Sequence, residues 1–69
     1  MEMSPQQMTA FFAVARLIHS DAPMGVKQVG ILLETYTPLQ LELAVQIMES
    51  PEHISLRLRE RMKILKEAI

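Results

Sequence analysis

A chain of 69 residues makes one domain, and a domain this small buries only about 60% of the surface its unfolded chain exposes. With no cysteine it has neither disulfides nor thiolate zinc sites to reinforce that core, and its 49% hydrophobic content must serve instead. A net charge of −1 gives no overall pull toward nucleic acid or anionic lipid, no run reaches the ~18 apolar residues of a membrane span, and a start with Glu2 and no basic residue does not read as a secretory signal.

The expectation is therefore a cytoplasmic protein with no membrane association. Its charge is unevenly spread, with a net of −3 over residues 1–50 and +2 over residues 51–69. The apolar content exceeds what so small a core requires. That surplus points to a partner, either another protein or a second copy of the chain.

Three short stretches, "SPQQ" at 4–7, "TPLQ" at 37–40 and "SPEH" at 50–53, put a hydroxyl residue before a proline. A Ser or Thr at the N-cap accepts a hydrogen bond from a first-turn N–H, and proline at the first helical position loses no bond there. Gln7 and Gln40, three residues after their caps, can reach back to the cap N–H; His53 fills that place less well. The reading is three helix starts, at Ser4, Thr37 and Ser50.

The first helix is expected over 5–19, with Met8, Phe11, Ala15 and Ile18 forming its apolar stripe, Phe12 and Val14 widening it, and Thr9 and Arg16 opposite. "HSDAP" ends it. A second helix follows over 25–34, capped by Gly25, with Val26, Val29 and Leu33 facing inward and Ile31 and Leu32 extending that face. Gly30 costs about 1 kcal/mol of helix propensity and suggests a close helix crossing. "ILLETYT" also reads as a short strand.

The third helix, 38–49, is apolar nearly all round and belongs in the middle of the fold. The fourth is expected over 51–68 as an amphipathic rod. Leu58, Met62, Leu65 and Ile69 are spaced 4, 3, 4 like a coiled-coil seam, with Ile54 one turn earlier. Arg59, Lys63 and Lys66 flank one side of the seam, and Arg57 and Arg61 the other. Leu56 and Ile64 sit off it. The fold class is thus all-α, a compact array of about four short helices in a single domain spanning 1–69, expected to form a homodimer.

Catalytic material is scarce. No Ser, His and acidic residues stand at a recognisable spacing, and the two glycines make no phosphate loop. His19, beside a helix C-terminus, reads as a dipole-favoured cap. His19 and His53 together would need a third ligand to hold a metal. The expectation is a protein that is not an enzyme and has no cofactor, metal or catalytic residue.

The segment "APMGVKQVGILLETYTPLQLELAV", preceded by "SPQQMTAFFAVARLI", resembles the opening of helix-turn-helix and winged-helix domains, where a capped helix reading "V-K-Q-V" precedes a recognition helix. That resemblance implies a DNA-binding regulator. It departs at the reading head: "PLQLELAVQIM" has no Arg or Lys, Glu42 and Glu49 repel phosphate, and "ETYT" lacks the usual turn glycine. The basic helix "SLRLRERMKILKEA" has cations but no interleaved aromatic for base stacking.

The preferred expectation is a non-catalytic interaction module acting as a regulator, inhibitor or adaptor of another protein. Its partner or dimer interface is expected on Leu56, Leu58, Met62, Ile64, Leu65 and Ile69, flanked by Arg57, Arg59, Arg61, Lys63 and Lys66. DNA binding through a helix-turn-helix is the alternative.

Overall fold

A computed structural model describes residues 3–69; Met1 and Glu2, the latter counted in the acidic body and in the reading of the N-terminus, lie outside the described residues. Four helices follow one another: α1 (Pro5–His19), α2 (Val26–Thr35), α3 (Pro38–Glu49) and α4 (Leu56–Ala68). Among the described residues there is no strand; the first five residues of "ILLETYT" complete α2, and Tyr36 and Thr37 join it to α3.

Local hydrogen bonds explain most of the boundaries. Ser4 Oγ accepts from Gln7 N at 3.1 Å, with Pro5 at the first helical position. Thr37 makes a full capping box: its Oγ1 accepts from Gln40 N at 3.2 Å, and Gln40 Oε1 accepts from Thr37 N at 3.0 Å. Gly25 caps α2 without a side-chain bond.

The expected helix start at Ser50 is not there. Ser50 instead closes α3, its hydroxyl donating back to Ile47 O at 2.7 Å. The fourth helix starts at Ser55, whose Oγ accepts from Leu58 N at 3.2 Å. A cap at Ser50 would have left one residue between two helices, too short a joint to turn the chain back across α3. Residues 51–55 supply the turn, and His53 lies in it rather than in a helical first turn.

The core is one cluster drawn from all four helices: Val14 and Ile18, Val29 and Leu32, Leu41, Ala44 and Val45, and Met62 and Leu65. The first and third helices pack most extensively against each other. Gln7 Nε2 donates to Gln40 O at 2.8 Å, which ties their starting ends together. Because α3 also touches α2 and α4, its apolar circumference is partly absorbed from several sides, as its composition suggests.

Two buried faces differ from expectation. In α1 the innermost residues are Ala10, Val14 and Ile18, while Met8 and Phe12 face solvent. Ala10, Val14 and Ile18, four residues apart, share the inward side of α1, and helical phase then puts Met8 and Phe12 on the far side. In α2, Val29 and Leu32 are buried, whereas Val26 is 92% exposed and Leu33 and Ile31 also face out. Gly30 is not explained by a crossing within the chain, because a methyl group there would meet no atom within 4 Å.

Candidate docking surfaces

The fourth helix divides its residues between support and surface. Met62 and Leu65 of the apolar seam are buried in the core, and Leu58, Ile69 and Ile54 pack against it. The seam therefore meets this chain's own helices. Of the six residues expected at an interface, only Leu56, 72% exposed, and Ile64, 45% exposed, stand largely in solvent. By helical phase they point about 80° apart, so they do not form one stripe.

The cations beside the seam also have different tasks. Arg61 Nε donates to Ile18 O at 2.9 Å and its Nη2 to Leu17 O at 2.8 Å. Arg57 donates to Ser20 O and pairs with Asp21 at 3.4 Å. Both guanidinium groups thus sit on the C-terminal carbonyls of α1, where unpaired oxygens and the helix dipole favour positive charge. On the opposite flank, Lys66 pairs with Glu49 at 3.0 Å, and Arg59 and Lys63 line the same shallow groove beside it.

The two histidines, distant in sequence, come to one groove between α1, α3 and the start of α4, whose apolar lining includes Phe11, Ile47, Ile54 and Leu58. His19 and His53 are both exposed at its rim. Among the described residues no three His, Cys, Asp or Glu side chains gather closely enough to hold a metal.

Phe11 of this groove packs edge-on against Phe12, ring centroids 5.7 Å apart. Phe12 is 60% exposed, and Met8, on the same side of α1, is exposed too. Leu43 and Ile47, one turn apart, are exposed along the neighbouring side of α3. Phe11, against Phe12, and Ile47, one turn from Leu43, line one groove between the helices, and the sequence gave one signal of these exposed groups only, the surplus of hydrophobic residues. Helical phase carries Glu42 and Glu49 away from Leu43 and Ile47, while Arg16, four residues after Phe12, shares the Phe12 side of α1.

A second apolar groove, of about 230 Å³, runs between α2 and the end of α4. Val26, Gly30 and Leu33 line one wall, and Ile64 and Ala68 the other.

The place of a DNA-reading helix would fall on α3. Its exposed side chains are Leu39, Glu42, Leu43, Gln46, Ile47 and Glu49, a mixture of apolar and acidic groups. No helix among the described residues is long and apolar enough to cross a membrane. Comparison with protein-family models, with curated protein sequences and with solved structures finds no match to this chain.

Proposed function

We propose that this chain is a non-catalytic helical interaction module, which works in the cytoplasm as a homodimer and docks on another protein as its regulator, inhibitor or adaptor. One observation carries the reading: the exposed apolar side chains of α1 and α3 about the Phe11–Ile47 groove, with Met8, Phe12, Leu43 and Ile47 all more than a third exposed. Large aromatic side chains in the middle of an apolar patch are the usual anchors of protein–protein contacts, and methionine adapts to the shape of what covers it. The same face argues against the DNA-binding alternative. An acidic, apolar helix in the reading position repels phosphate and offers few groups to base edges.

The test uses tagged wild type with Phe12→Asp and, about 120° round α1 by helical phase, Gln6→Asp. Both positions are exposed, so both variants are expected to melt close to wild type. Wild type and Gln6→Asp should recover the same partner from the native host, and Phe12→Asp should lose it. Recovery of that partner by all three proteins would remove the α1–α3 face from the mechanism.

A further inference from the structure

The groove between α2 and α4 carries a self-association surface distinct from the α1–α3 face. Three features of α2 meet there. Val26, Gly30 and Leu33, at i, i+4 and i+7, form one stripe, and Val26 at its end is almost wholly exposed. Gly30 lies inside the helix, where glycine is unfavourable, yet apart from its chain neighbours and its own helix's backbone nothing comes within 4 Å of where a side chain would start. A glycine with open space above it allows another backbone to approach closely.

The third feature is charge. Lys27 and Glu34 are the two charged residues of α2, and both are exposed. They lie along the same edge of the stripe, seven residues apart. A rise of about 10.5 Å separates them, so they do not pair with each other. Neither takes part in an ion pair among the described residues.

A two-fold axis through the middle of α2 would set a second copy of the helix antiparallel to the first, with like edges meeting. Lys27 then faces Glu34 of the other copy, and Glu34 faces its Lys27. The midpoint of this charge pair falls between Gly30 and Ile31, so the glycine stands at the crossing. Val26 of each copy reaches toward the groove walled by Ile64 and Ala68 of the other.

We infer that a second copy of this chain occupies the α2–α4 groove, forming an antiparallel α2–α2 contact centred on Gly30 and registered by reciprocal Lys27–Glu34 pairs. This rests on the homodimer part of the reading above and not on the foreign partner. Ten residues of helix and the end of α4 make a small interface, below the roughly 1,200 Å² at which stable complexes begin, so the dimer is a weak one.

Sedimentation equilibrium from about 5 μM to about 1 mM, a span suited to weak association, tests it. Wild type should pass from the 7.9 kDa chain mass toward twice that value as concentration rises. Lys27→Glu and Glu34→Lys should each weaken association about tenfold, because every reversal is felt twice across the axis and exposed pairs contribute modestly. The double variant should return to within about threefold of wild type, since it restores both pairs with their signs exchanged. Gly30→Leu should block the crossing while melting, when dilute, no lower than wild type. A wild type that stays monomeric at 1 mM overturns the homodimer reading and this surface with it. A dimer indifferent to the charge reversals and to Gly30→Leu overturns the surface alone.

Discussion

Replacing Arg61 by methionine removes the guanidinium and keeps most of the stem that packs on the neighbouring helices. Two hydrogen bonds go with it, from Nε to Ile18 O at 2.9 Å and from Nη2 to Leu17 O at 2.8 Å. Hydrogen bonds to a charged group contribute about 1.5–3 kcal/mol each, though two made by one side chain do not add fully. Leu17 O keeps a second partner in Ser20 N at 3.3 Å, which softens the loss. The helix dipole adds about 0.3–1 kcal/mol for a cation at this end. A net loss of about 2–3 kcal/mol follows. A domain of this size has a total stability of roughly 3–10 kcal/mol, so the change is a large fraction of it. The expected fall in melting temperature is about 10–20 °C. The assay is urea and thermal unfolding by circular dichroism, run beside Arg59→Met. Arg59 is on the same helix and has the same charge, but it has no bond to α1 and should change stability by less than about 0.5 kcal/mol. Equal losses in the two variants would refute the reasoning, because the effect would then come from net charge and not from closing the end of α1.

Ser55→Ala should lose about 0.5–2 kcal/mol in urea melts, and Thr37→Ala the same or more because its capping box is reciprocal. Ser50→Ala should lose less than about 0.5 kcal/mol, since its exposed hydroxyl caps no helix start; a loss matching Ser55→Ala would restore Ser50 as the N-cap. Gly30→Ala should raise the stability of the dilute monomer by about 0.5–1 kcal/mol, as a helix-interior glycine with free space above it; a lower melting temperature would show a hidden clash. In gel shifts at physiological salt the protein should leave random duplex DNA unmoved, and micromolar binding that weakens steeply with added salt would revive the helix-turn-helix reading.

The starts of α1 and α3, the ends of both and the all-α class were legible in the chain itself. Ser4, Thr37 and the prolines after them act on N–H groups three residues away, so the sequence neighbourhood holds every atom involved. The same phrase misleads at Ser50. A serine can accept from the following turn or donate to the preceding one, and which it does here depends on the turn needed to lay α4 against α1 and α3.

Facing directions were legible only where one stripe dominated. The seam of α4 is apolar on one side and charged elsewhere, so Met62 and Leu65 are found inside as the spacing demands. In α1 and α2, apolar residues occur on more sides than the core can accept. Periodicity alone did not say that Ala10 rather than Met8, or Leu32 rather than Leu33, would be taken in. The tertiary structure alone decided the use of Arg57 and Arg61. They close the end of a helix about 40 residues earlier in the chain, and a partner that distant becomes a neighbour only when the core has brought the helices together.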